Sequence, residues 1–280
     1  MSGLFKAAEP MARLAPTPKR LGLPALLVAA LLVLAAAMLR YVPFAEVGAA
    51  ATLLNLAALA GVVGMVSWAL TGNAFGFALG TLDRYSLARA QVALWTVVVF
   101  AALLTVAEWN LAVARSLDAL NVRIPGPVMA ALGLSLFTAA AAPAILAVRG
   151  AASDLATSPQ LTAATERAAS MTGTNAGVVA HGQVGANSQA SDASWKDLLT
   201  GDDVSVTGRL DLSKVQQALL TLIIVGIYLA TVLQSFSATG PMTALPDLGG
   251  DAVRLLAISH AGYLAYKAVP KPSAIPDDTK

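Results

Sequence analysis

LGLPALLVAALLVLAAAML, residues 21–39, holds no charged side chain and lies between Arg20 and Arg40. About twenty apolar residues in a helix cross a ~30 Å hydrocarbon core, so Leu21–Leu39 reads as a membrane span. A cleaved signal peptide is the rival reading. Lys6, Arg13, Lys19 and Arg20 form a basic leader and Ala35-Ala36-Ala37 resembles a cleavage site, but the apolar run exceeds the ~7–15 residues usual for such leaders.

Outward from this stretch the pattern repeats. Val47 to Leu82 is again free of charge and too long for one helix, so a second span ends near Leu70, at the Thr71-Gly72-Asn73 stop. A third span starts behind an N-cap at Ser86 and runs to about Val113. A fourth runs from Pro127 to about Val148, with Pro143 expected to bend it, and a fifth from Val215 to about Phe236. Leu255–Tyr266 makes a sixth only if Arg254 and Lys267 snorkel to opposite interfaces; a short re-entrant helix is the alternative. The composition of the 280 residues agrees: 57% are hydrophobic and 12% charged, where soluble domains run near a quarter charged. The absence of cysteine excludes disulfides, thiolate chemistry, zinc ribbons and iron–sulfur sites. A net charge of +2, spread along the span flanks, gives no signal for nucleic acid.

With six spans and an inside N-terminus, Arg40, Arg115, Arg123 and Arg254 fall outside and the other fourteen of the eighteen Lys and Arg fall inside. Cytoplasmic flanks collect positive charge, so both termini are expected in the cytoplasm. Trp68, Trp95 and Trp109 fall near span ends, where interfacial aromatics belong.

Two segments align: Asp83–Thr96, DRYSLARAQVALWT, and Gly208–Thr221, GRLDLSKVQQALLT. Arg84 matches Arg209, Gln91 matches Gln216, Thr96 matches Thr221, and Arg89 faces Lys214. Ser86 and Asp211 differ but both suit an N-cap. Ile124-Pro125 corresponds to Leu245-Pro246 and Leu132–Ser135 to Leu256–Ser259. Each unit is then a capped start, a helix out, a proline-marked turn and a helix back, and both begin inside, so the repeats are parallel. The expected fold is an all-α integral membrane protein of about six transmembrane helices. Its parts are a tail (1–20), a hairpin (21–70), a first repeat (83–148), a cytoplasmic linker (149–207), a second repeat (208–268) and a tail (269–280). The linker, rich in Ala, Ser, Thr, Gly and Asn, is expected to be mostly disordered, with a short amphipathic segment at 195–201.

No phosphate-cradling, zinc-protease or nucleophile-elbow motif occurs. The expectation is a non-enzyme with no catalytic, cofactor-binding or metal-binding residue. The polar candidates are His260, expected at the depth of Thr221 and hydrogen-bonded to it, and the repeated set Gln91, Gln216, Arg89 and Lys214, expected to fix helix depth and bond across the pseudo-twofold axis, or else to meet a lipid headgroup or a partner. Glu108 reads as interfacial. Gly72, Gly76 and Gly80 form a GxxxGxxxG run that allows close helix approach if helical. Trp195, Leu198 and Leu199, at i, i+3 and i+4, form an apolar face for the membrane surface or a docking partner.

RYSLARAQVALWT (84–96), IPGPVMAALGLS (124–135), WKDLLTGDDV (195–204), LDLSKVQQALLT (210–221) and ISHAGYLAYKAVP (258–270) together resemble an uncharacterised family of bacterial multi-pass inner-membrane proteins. That family has paired SLSR-x-Q and DLSK-x-Q helices and an ISHAGYL-type last helix. The first copy departs mildly, with Ala88 and Ala90 where the second has Ser213 and Val215. The resemblance, over about residues 70 to 270, implies a bacterial inner-membrane setting and carries over no catalytic residue. The expected function is an anchor or scaffold for a cytoplasmic or envelope assembly; the alternative is a small channel or transporter subunit. Expected partners are membrane lipid, a cytoplasmic or envelope protein and further copies of the chain, without nucleic acid or cofactor.

Overall fold

The computed structural model describes residues 22–41, 45–151, 158–172, 177–236 and 240–269. The tail 1–20, and all of the tail 269–280 except Val269, lie outside them. The described elements are α1 (Gly22–Tyr41), α2 (Ala45–Thr71), α3 (Leu87–Ala114), α4 (Gly126–Gly150), α5 (Ser158–Thr172), β1 (Val178–His181), β2 (Val184–Asn187), α6 (Leu212–Ser235) and α7 (Gly250–Ala268). Five of them, α1 to α4 and α6, are long and apolar enough to cross a membrane. The chain is mostly helical and multi-pass. The five expected spans fall on these helices within a few residues, and α7 extends beyond Leu255–Tyr266 at both ends.

Local chemistry sets the helix starts. Asp211 Oδ1 accepts from the amides of Ser213 (2.9 Å) and Lys214 (3.4 Å), satisfying orphan donors of α6. Ser86 directly precedes α3, its carbonyl accepting from the Ala90 amide at 3.0 Å. Prolines pre-set for a first turn open α4.

The chain divides into two compact units. The first comprises 1–77, 97–123 and 231–245. Here α1 packs on α2, and Gly48 of α2 meets the Phe236 ring so closely that an added Cβ would lie 2.5 Å from it. Asn55 donates to Thr105 Oγ1 (3.0 Å) and Glu108 Oε2 (2.8 Å). Trp109 is buried rather than interfacial: its Nε1 donates to the Gly240 carbonyl at 3.2 Å and its ring lies 5.5 Å from that of Phe236. The Arg123 amide donates to Thr243 O and its carbonyl accepts from the Leu245 amide, both at 2.9 Å, a one-bridge parallel ladder.

The second unit comprises 78–96, 124–230 and 246–280, with α4 packed on α7. Trp95, also expected at an interface, is fully buried, its ring 6.3 Å from that of Tyr228. The expected disorder of 149–207 is corrected over the described residues. β1 and β2 pair antiparallel, Val178 opposite Asn187 and His181 opposite Val184, a short hairpin within a mostly helical fold. Ala164 of α5 packs with Val178 and Val204 in a small core, and Arg167 donates to the carbonyls of Thr207 (2.9 Å) and Val204 (3.2 Å). So polar a composition leaves a segment disordered only where it must fold alone. Here Asn187 donates its amide to Leu82 O (2.9 Å) and its Nδ2 to Asp83 O (2.8 Å), borrowing partners from the chain before α3.

The glycine run is not a helix face. Gly72 ends α2 at φ +72°, a conformation that side chains resist, Gly76 lies in a 3-10 turn and Gly80 in extended chain.

Candidate functional site: a buried charge network beside a polar core

Within the second unit, charged side chains from four helix termini converge on the turn at 197–203. Arg84 precedes α3, Lys214 lies in the first turn of α6, and Arg149 and Lys267 lie in the last turns of α4 and α7. Asp202 Oδ1 is 2.8 Å from Lys214 Nζ and 4.0 Å from an Arg84 guanidinium nitrogen, and its Oδ2 pairs with Lys267 Nζ. Arg84 also reaches Asp197 Oδ1 (3.3 Å), the Gly201 carbonyl (2.7 Å) and Thr200 Oγ1 (2.7 Å). Lys214 donates to Thr200 O at 2.6 Å. Arg149 pairs with Asp203 Oδ2 at 2.8 Å and donates to the Lys267 carbonyl at 3.0 Å.

Burial alone would raise the Asp202 carboxyl, but Lys214, Lys267 and Arg84 outweigh it and hold the group well below its ordinary value of 3.8. Cations in the last turns of α4 and α7 also complement those helix dipoles. Gly201 is needed in the tight turn because a Cβ there would lie 2.5 Å from the Val206 side chain.

The same unit holds a buried polar chain. Gln217 Nε2 donates to Gln91 Oε1 (2.9 Å), and Gln91 Nε2 donates to Thr221 Oγ1 (2.7 Å). His260 Nδ1 lies 2.6 Å from Thr138 Oγ1 and 3.2 Å from Gln217 Nε2. Thr138 Oγ1 is also 2.9 Å from the Leu134 carbonyl, and its single proton can serve only one of the two acceptors. His260 Nε2, Gln217 Oε1, Trp95 Nε1 and Tyr228 OH are buried with no partner among the described residues.

Several expectations are corrected by this geometry. His260 bonds Thr138 and Gln217, not Thr221, whose partner is Gln91. Gln216 is exposed; its neighbour Gln217, fully buried, meets Gln91. The aligned pair Arg89 and Lys214 separates: Arg89 is exposed and donates to the Leu79 carbonyl, while Lys214 is buried in the ion network. Lys267 does not snorkel; it is buried against Asp202, with Nζ 5.1 Å from the Tyr263 ring centre.

The Trp195–Leu199 segment is a 3-10 turn. There i and i+3 share a face, so Trp195 aligns with Leu198 and not with Leu199. Trp195 stays 47% exposed with its ring 5.0 Å from that of Tyr85, Leu198 and Leu199 are half-buried, and the buried residue of the turn is Asp197. Sequence reasoning missed Arg84, Arg149, Asp197, Asp202, Asp203 and Gln217. The signal was present, because WKDLLTGDD places three carboxylates within seven residues of a chain that is only 12% charged.

Five apolar helices and a charge network built on helix termini define a multi-pass membrane protein. No protein family, curated protein or solved structure matches the chain.

Proposed function

We propose that the protein is a non-catalytic multi-pass anchor in a bacterial inner membrane, presenting a cytoplasmic platform for an assembly partner. In this reading α7 is a sixth crossing, both termini are cytoplasmic, and the last four membrane helices are two parallel repeats. The repeat draws support from Asp211 and Ser86 at matching helix starts and from the ladder joining Arg123 to Thr243 and Leu245 beside the two proline-marked turns.

The carrying observation is the Asp202 network, which fastens the 195–211 segment to four helix termini while leaving Trp195 half-exposed. A docking site on a membrane anchor must transmit load to the helices, and buried ion pairs resist separation because each exposed partner would be a lone buried charge. The test is in-cell crosslinking and membrane pull-down of tagged full-length chain beside Trp195→Ala. A partner recovered with the intact chain and lost with Trp195→Ala sustains the reading; identical recovery with both chains sinks it.

The second reading, a channel or transporter subunit, rests on the Thr221–Gln91–Gln217–His260–Thr138 chain and the unpartnered His260 Nε2. An ionisable side chain within a membrane helix is a functional hypothesis by default. Under it, His260→Ala abolishes ion flux in reconstituted vesicles while the protein remains folded. Under the anchor reading that change leaves partner recovery intact.

A further inference from the structure

In the first unit, α1 and the C-terminal part of α3 line an open groove of about 520 Å³, within the ~300–1,000 Å³ range of small-molecule sites. Its α1 wall is Val33, Ala36, Ala37 and Arg40, and its α3 wall is Glu108, Leu111 and Ala112. Both sets follow helical i, i+3, i+4 spacing, so each is one continuous face. Small side chains leave the space open, and the only charges on the walls are one cation and one anion.

These two charges do not neutralise each other: among the described residues no ion pair joins Arg40 to Glu108, and Arg40 has no hydrogen-bond partner. Glu108 is held in place by Asn55 Nδ2 at 2.8 Å on Oε2. A ligand that complements this groove brings an anion for Arg40, a cation for Glu108 and an apolar body for the alanine-lined wall.

We propose that this groove is a specific site for a phospholipid whose headgroup carries both a phosphate and a primary ammonium, the chemistry of phosphatidylethanolamine. The phosphate takes the Arg40 fork, whose planar donors match phosphate oxygens. The ammonium donates to Glu108, and an acyl chain lies along Ala36, Ala37 and Ala112. A quaternary ammonium has no N–H to donate, so phosphatidylcholine loses the Glu108 bond. Phosphatidylglycerol offers hydroxyls there and leaves its net negative charge beside the carboxylate.

The experiment uses the full-length chain, delipidated in detergent, then exposed to an equimolar mixture of dioleoyl phosphatidylethanolamine, phosphatidylcholine and phosphatidylglycerol, with retained lipid read by native mass spectrometry. Wild-type protein retains one phosphatidylethanolamine in roughly tenfold preference over each of the others, the scale of one charge-assisted hydrogen bond. Glu108→Gln loses the preference over phosphatidylcholine but still holds phospholipid through Arg40. Arg40→Gln loses retention of all three. Ala36→Leu keeps both charges and narrows the groove, and it lowers retention without changing the order of preference. The wild-type ranking needs no variant, so a variant that fails to fold does not rescue the idea. Equal retention of phosphatidylethanolamine and phosphatidylcholine by wild type, preference for phosphatidylglycerol, or no retained lipid overturns it.

Discussion

Asp202 is a carboxylate with two lysines and an arginine around it and 14% of its side chain exposed. Removing one member of a buried ion network leaves lone charges and costs about 3–5 kcal/mol. Asp202→Asn is therefore expected to lower the thermal unfolding midpoint of the detergent-solubilised protein, with a loss of about that size. The pH dependence has a definite sign. The folded carboxyl is held below its ordinary 3.8, so its contribution is full above about pH 4 and fades as pH falls toward the folded value. The gap between wild type and Asp202→Asn should stay constant between about pH 5 and 6 and shrink below about pH 4; a gap that widens on acidification contradicts the assigned ionisation. The glutamines allow a sharper contrast. Gln217→Leu removes the amide joining Gln91 to His260 and should cost about 1–3 kcal/mol. Gln216→Leu, at an exposed position, should change stability by less than about 0.5 kcal/mol. Equal effects in thermal unfolding would refute the register described here.

Between Trp195 and Asp211, main-chain bonds close a polar segment on itself and on β2: Gly185 N to Asp202 O (2.8 Å), Gly201 N to Arg209 O (3.0 Å) and Asp211 N to Leu199 O (2.8 Å). Amides in such ladders exchange slowly only while the element stays closed. Hydrogen exchange on the intact chain should show Gly185, Gly201 and Asp211 protected, and Arg84→Ala, which deletes the bonds to Asp197, Thr200 and Gly201, should release them together. Fast exchange in the wild type would return the segment to the disordered linker its composition suggests. The difference between composition and structure lies in where the stabilisation comes from. Apolar blocks such as residues 21–39 announce themselves because burial against lipid depends only on hydrophobicity and length. A polar segment held by Asp202 and Asn187 depends on partners more than a hundred residues away in places, Arg84 and Leu82 among them, and no local pattern encodes that pairing. The Asp211 cap was legible because the N-cap is a local device. The Gln91 partner was misplaced by one position because alignment matches letters, while a helix turns about 100° per residue and so sends Gln216 and Gln217 to different faces. Trp109 failed in the same way: its place near a span end suggested an interface, but Gly240 and Phe236 bury it.

For the whole molecule, the proposed topology assigns sides to every loop, and the cysteine-free chain makes that assignment easy to measure. Of its eighteen Lys and Arg, only Arg40, Arg115, Arg123 and Arg254 fall on the outer side of a six-crossing arrangement, and such a bias fixes orientation during insertion. The buried network adds a constraint that charge counting lacks. Lys267, in the last turn of α7, pairs with Asp202, while Arg84 and Lys214 meet the same carboxylate from the starts of α3 and α6. In the proposed topology the end of α7 then shares a side with those starts, and α7 is the crossing that brings the chain back after α6. Leu117→Cys, 76% exposed in the loop between α3 and α4, should react with a membrane-impermeant maleimide in spheroplasts. Ser191→Cys, exposed in the segment after β2, should react only after permeabilisation. Reaction of both from outside would refute the alternation of loops, and the reverse pattern would invert the protein and leave Trp195 facing away from any cytoplasmic partner.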